Sequence, residues 1–128
     1  MILCVDDEPN VLAALRRLLH PFPFEVVTVT SGKGAIGIAE KRTPDLVILD
    51  RFMPGMDGYE TLHRLRELGL TDTPVVILSG DTDILRGYDE GAVYYIHKPF
   101  RGEHVAHIVE YHLGDPSPER RAWLELHF

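Results

Sequence analysis

A doubly wound α/β fold built on a five-stranded parallel sheet is the architecture this sequence predicts. Apolar runs rich in β-branched residues alternate with segments of helical period from one end of the chain to the other. The runs are too continuously apolar to leave one face in water, which favours a sheet covered on both sides. Residues that could do chemistry stand directly after these runs rather than within them. Right-handed crossovers between parallel strands then place helices on both faces.

The first strand is Ile2 to Val5. Val11, Leu12, Leu15, Leu18 and Leu19 follow at i, i+1, i+4, i+7 and i+8, the apolar stripe of a helix, with Pro9 in the first turn where a missing N–H costs nothing. Glu25 to Val29 is the second strand, between HPFPF and a Ser31-Gly32 turn. The helix after it runs through Ala35, Ile38 and Ala39 and ends near Arg42, ahead of Pro44. Leu46 to Leu49 is the third strand and terminates on Asp50. Pro54, Gly55 and Gly58 shape the next loop, and a helix carries Leu62, Leu65 and Leu68. Val75 to Leu78 is the fourth strand, ending on Ser79-Gly80. Tyr94 to Ile96 is the fifth, ending on His97-Lys98-Pro99, and Val105, Ile108 and Val109 mark the last helix of the domain.

The totals bound the function. A chain of 128 residues holds one ordinary core, and 45% hydrophobic with 26% charged residues fits a soluble globular domain. No apolar segment approaches the roughly 20 residues of a membrane helix, and the start lacks the basic region of a signal peptide. With one cysteine, Cys4, inside the first apolar run, no intrachain disulfide forms and a reducing cytoplasm is the natural compartment. The formal charge is -7 and the basic residues are scattered, which argues against direct nucleic-acid binding. His104 and His107 share a helix face without a convincing third ligand, so a zinc site there is not expected.

In doubly wound sheets, ligands bind beyond the carboxyl ends of the strands. Asp6 and Asp7 follow strand one, Asp50 follows strand three, Ser79 follows strand four and Lys98 follows strand five, so all of them fall on one edge. Carboxylates gathered at one edge repel one another unless a cation joins them. An oxygen-only donor set favours a hard ion such as Mg2+, or Mn2+ in its place. Lys98 supplies a point charge for a phosphoryl oxygen and Ser79 a hydroxyl. These are the parts for phosphoryl transfer onto a carboxylate, where catalysis is mostly positioning and charge stabilisation.

VDDEPN, LVILDRFMPGMDGYE, VVILSG and YYIHKPF, in that order and at the ends of the right strands, resemble the motifs of response-regulator receiver domains of two-component signalling. The resemblance runs from Ile2 to about Leu113. It implies a flavodoxin-like, chemotaxis-receiver-like fold with strand order 2-1-3-4-5, an order carried over from the family. It also implies Asp50 as phosphoacceptor from a phosphohistidine. Asp7, Asp50 and the backbone carbonyl of Phe52 would bind Mg2+ directly, with Asp6 acting largely through water. Lys98 would contact the phosphoryl group, Ser79 and Tyr95 would form the switch pair, and the Lys98-Pro99 peptide would be cis. The implied partners are a histidine kinase or histidine phosphotransfer protein upstream, and a protein target or an output domain downstream.

The chain departs from that family in several places. Phe52, two residues past Asp50, is bulky and apolar, which predicts slow self-dephosphorylation, with Asp81, two past Ser79, left to orient an attacking water. The stretch DTDILRGYDEGA is short by roughly one helical turn, and Gly87 within it weakens helix by about 1 kcal/mol relative to Ala. The helix between strands four and five, fourth in the predicted order, is therefore expected to be shortened. An unravelled segment there would make phosphorylation an ordering switch and would alter the family's usual dimer geometry. Residues 1–113 form the receiver domain, and 114–128 read as a linker and a short tail helix. The tail packs on its own domain, contributes to a homodimer, or begins a longer helix toward an output domain.

Two other readings compete. The first is a constitutive, non-phosphorylated interaction or dimerisation module, against which the intact set of Asp6, Asp7, Asp50, Ser79 and Lys98 argues. The second is a hydrolase with a phosphoaspartyl intermediate, which needs a general acid where Phe52 stands and a substrate cap that no insertion is long enough to supply.

Overall fold

The computed structural model describes residues 1–80, 91, 92, 94–114, 122 and 126. Its elements are β1 (Ile2–Val5), α1 (Pro9–Leu19), β2 (Val26–Val29), α2 (Gly32–Lys41), β3 (Leu46–Asp50), α3 (Gly58–Glu67), β4 (Val75–Ser79), β5 (Tyr94–His97) and α4 (Gly102–Leu113). The strands form one parallel sheet in the order β2-β1-β3-β4-β5. Cys4 sits opposite Thr28 on one side and Ile48 on the other, Leu49 opposite Ile77, and Ile77 opposite Tyr95. The expected helix between strands four and five, Asp81 and the expected tail helix lie outside the described residues.

Strand alternation divides the core in two. Ile2, Cys4, Leu46, Ile48, Val76 and Leu78 face α1 and α4, where they meet Leu15, Leu18, Val105 and Val109. Leu3, Val5, Val47, Leu49, Val75 and Ile77 face α2 and α3, where they meet Ala35, Leu62 and Leu65. Each fully buried leucine contributes about 2 kcal/mol of transfer free energy, so the central strands anchor both layers. Burial pushes the Cys4 thiol up to about 12, with Arg16 opposing weakly, so this thiol stays protonated and inert.

Not every strand is covered as its composition suggested. β1, β3 and β4 are buried throughout, whereas β2 is half-buried at every residue and β5 at Tyr94 and Tyr95. The last two are the sheet's edges, and an edge strand has a neighbour on one side only. Leu68 also differs from the helical pattern, since α3 stops at Glu67 and Leu68 caps it at 43% exposure. Gly69 reverses the chain with φ +102°, and Leu70 takes the core position instead.

Two capping carboxyl or hydroxyl groups start helices where a turn alone had been expected. Ser31 Oγ accepts from the Gly34 N–H at 3.0 Å, and Asp57 Oδ1 accepts from the Glu60 N–H at 2.9 Å. α2 lies close on α3, and a Cβ added at Gly32 would stand 2.3 Å from Thr61 Oγ1.

Arg66 ties the lower end of the sheet together. Its Nη1 donates to the carbonyls of Leu70 and Thr73, the latter at 2.7 Å, and Nη2 donates to the Gly91 carbonyl at 2.9 Å. This side chain joins the end of α3 to the approach to β4 and to the residue that leads toward β5. Arg66→Ala is expected to lower stability by about 2 kcal/mol, because it strips carbonyls of their donor. Lysine at 66 should recover only part, since one ammonium cannot span the fork's positions. Urea unfolding of the three proteins checks this, and equal midpoints would refute it.

Candidate functional site

The strand order places β1 and β3 side by side, with the chain leaving them in opposite directions, so a crevice opens beyond their carboxyl ends. Asp6 follows β1 and is fully buried. Its N–H donates to the Val29 carbonyl at 3.2 Å, and its Oδ1 accepts from the Glu8 N–H at 2.9 Å, a local turn that redirects the chain into α1. Asp50 ends β3 at 4% exposure. Lys98 reaches in from beyond β5, with its N–H donating to the Ser79 carbonyl at 2.6 Å. The Lys98 Nζ donates to Asp6 Oδ2 at 2.9 Å and lies 3.1 Å from Asp50 Oδ1.

The electrostatics are those of a pocket with more acid than base. Burial raises the Asp50 carboxyl to about 6; the Lys98 hydrogen bond opposes this, while Asp6 and a hydrogen bond with Asp7 add to it. Burial alone would lower the Lys98 ammonium, yet its bonds to Asp6 and Asp50 outweigh that and hold it above its ordinary value. Carboxylate oxygens of Asp6, Asp7 and Glu8 lie within 4.8 Å of one another, with Asp7 and Glu8 exposed. Lys98 balances one of these negative charges. The donors are all oxygen, and the excess charge is on the acid side, so the residues fit a hard divalent cation.

The raised Asp50 carboxyl has a consequence for stability. Well below pH 4 the group is protonated in both the folded and unfolded chains and costs nothing. As pH rises from about 4 to 6, the unfolded chain releases its proton first, so folding loses stability, and above about 6 the full cost persists. In metal-free buffer, Asp50→Asn is therefore expected to gain on the order of 2 kcal/mol at pH 7.5 and only a small fraction of that at pH 4. Thermal unfolding at the two pH values checks the sign, and an equal gain at both would refute it.

The remaining predicted residues fall as follows. Ser79 ends β4, fully buried, in register with His97. Phe52 is 55% exposed in the loop after β3. Tyr94 and Tyr95 point to opposite faces: Tyr94 packs with the α1 and α4 layer, and Tyr95 with the α2 and α3 layer. The Lys98-Pro99 bond is cis. Glu8, the third acid of VDDEPN, belongs to the acidic cluster with Asp6 and Asp7. Arg51 had not been singled out; alternation along β3 was the available signal, since it sends the residue after Asp50 toward α3.

A parallel sheet ordered 2-1-3-4-5, with buried carboxylates and a lysine meeting at the crevice between its first and third strands, defines a doubly wound module with an acidic pocket. Residues 2–110 match the family model for the response regulator receiver domain. Among curated relatives, the transcriptional regulatory protein KdpE of Mycobacterium tuberculosis is 41% identical over 103 residues, covering 78% of this chain and 45% of that protein. PrrA, a transcriptional regulatory protein of the same organism, is 38% identical over 102 residues, covering 77% and 43%. Each match thus spans less than half of the relative's length. Among solved structures, the Vibrio cholerae chemotaxis protein CheY4 superposes with a TM-score of 0.80 at 28% identity, covering 88% of this chain and 97% of that one.

The chain belongs to the response regulator receiver domain family of two-component signalling. Receiver domains of this family partner with histidine kinases, bind Mg2+ at an acidic pocket, and are in general not dedicated enzymes. Among the described residues, no helix is long and apolar enough to cross a membrane.

Proposed function

We propose that this chain is a phosphoryl-accepting switch in which Asp50 takes a phosphoryl group from a phosphohistidine and thereby alters a protein-binding surface. The observation that carries it is the Lys98 ammonium, bonded to Asp6 and in ion-pair contact with Asp50, a buried acceptor carboxylate at the sheet's switch point. An Asp50 oxygen attacks phosphorus in line, the donor P–N bond breaks, and its electron pair leaves on the imidazole. Lys98 is already beside the acceptor and meets the incoming charge on the phosphoryl oxygens. Asp7, Asp50 and the Phe52 carbonyl would hold Mg2+ or Mn2+, with Asp6 supporting through water. Such an ion supplies charge neutralisation and orients the phosphoryl oxygens.

Ser79 and Tyr95 form the proposed switch pair, Ser79 turning toward the phosphoryl group and Tyr95 filling the space behind it. Residues 1–113 constitute the switching domain and 114–128 a linker with a tail. A histidine kinase or phosphotransfer protein, met in the cytoplasm, supplies the phosphoryl group. A downstream protein or an output domain reads the result, and the transcriptional regulatory relatives support an output of that kind. The test is intact mass after incubation with acetyl phosphate and Mg2+: a single adduct that disappears without metal supports the reading. No adduct on folded protein would move the assignment to a constitutive interaction module.

Phe52 bears on the lifetime of that adduct. An apolar ring two residues past the acceptor offers no group to orient water, so loss of phosphoryl should take many minutes. A wild-type lifetime of seconds, or a longer one in Phe52→Ala, would contradict this.

A further inference from the structure

Arg51 follows the proposed acceptor in sequence but turns to the α3 side of the sheet, where it is 5% exposed. Its guanidinium carbon lies 3.9 Å from the centre of the Tyr59 ring and 4.4 Å from that of Phe52. Nη1 donates to Asp57 Oδ2 at 3.2 Å, and Asp57 is itself held as the cap of α3 through Glu60. The guanidinium is thus anchored on one side by Tyr59 and Asp57, and the Phe52 ring is layered on it. Phe52 is 55% exposed, so it has little apolar packing to fix it otherwise.

A guanidinium is a costly way to fill this space. It is buried, and its Nε makes no hydrogen bond among the described residues. An aliphatic side chain of similar volume would pack there without an orphaned donor. What the guanidinium adds is attraction for an aromatic face, and the exposed ring it attracts belongs to the residue two past Asp50 in the loop after β3.

We propose that Arg51 is a positioning residue that holds the Phe52 ring beside Asp50 and so sets how fast water reaches the phosphoryl group. This rests on Asp50 being the phosphoacceptor. In the hydrolytic step a water oxygen attacks phosphorus and the acyl-phosphate P–O bond breaks. The carboxylate leaves with the electron pair, and the water's protons pass to phosphate and solvent. A ring pinned on Arg51 shields one approach to phosphorus; a ring released from it leaves that approach open to water.

The test is the lifetime of the acetyl-phosphate adduct, read by intact mass in wild type, Arg51→Met, Arg51→Lys, Phe52→Ala and the double variant Arg51→Met/Phe52→Ala. Arg51→Met should shorten the lifetime roughly threefold or more, the factor that one exposed cation–π contact supports, and Arg51→Lys should shorten it less. The double variant should match Phe52→Ala, because without the ring Arg51 has nothing to position. A lifetime indifferent to Arg51, or an equal fold-change with and without the Phe52 ring, would overturn the proposal while leaving the phosphoacceptor reading intact. Absence of any wild-type adduct would instead overturn that reading and this inference with it. Should Arg51→Met not fold, Arg51→Lys in both Phe52 backgrounds reads the same coupling.

Discussion

Asp50→Asn is expected to take up no phosphoryl group from acetyl phosphate under conditions that give wild type a single adduct. The amide matches the carboxylate in shape but is neutral and a poor nucleophile, so the attacking oxygen is lost while the packing of β3 is kept. Lys98 keeps its bond to Asp6 at 2.9 Å, which leaves the pocket assembled around the changed residue. The expected gain in stability near neutral pH strengthens the control, since loss of uptake in a more stable protein cannot be attributed to unfolding. Uptake at a different carboxylate in Asp50→Asn would refute the assignment of the acceptor, and peptide mapping of the adduct would identify the true one.

The second large effect concerns a residue with no chemistry. Gly58 begins α3, and its N–H donates to the Arg51 carbonyl at 2.9 Å. A Cβ there would stand 2.2 Å from the Asp50 carbonyl oxygen and 2.9 Å from the Arg51 Cα. Both obstacles are backbone, so no rotamer change relieves them. Gly58→Ala should therefore cost about 3 kcal/mol, against the usual gain of alanine over glycine in a helix. Because relief requires moving the end of β3, phosphoryl uptake should fall as well. Gly37→Ala is the matched control: it lies within α2 with open space around its Cβ, and should stabilise by up to about 1 kcal/mol. Urea midpoints that shift alike for the two variants would refute the contact argument.

The contrast between those two glycines shows where sequence reading reaches its end. As letters, Gly58 read as part of a loop, because nothing local distinguishes a glycine that turns the chain from one that admits a neighbouring backbone. Its partner atoms belong to Asp50 and Arg51, brought close only when α3 packs against the end of β3. Arg51 escaped notice for a similar reason, since its rings come from Phe52 beside it and Tyr59 one helix away. The exposure of β2 also followed from its place at the sheet's edge, which its composition of valines and threonine does not encode.

By itself the sequence determined the parallel α/β class, the five strands to within a residue, the presence of the described helices, and the edge on which Asp6, Asp7, Asp50, Ser79 and Lys98 fall. Those features are local: an apolar run, a helical period, an acid at a strand's end. The order of the strands came from resemblance, since crossover handedness alone leaves several orders open. Tertiary structure decided the Lys98 contacts with Asp6 and Asp50, the stacking of Arg51 and the close approach at Gly58. Lys98 and Asp6 are 92 residues apart in sequence, and a contact at that separation depends on how the whole sheet assembles.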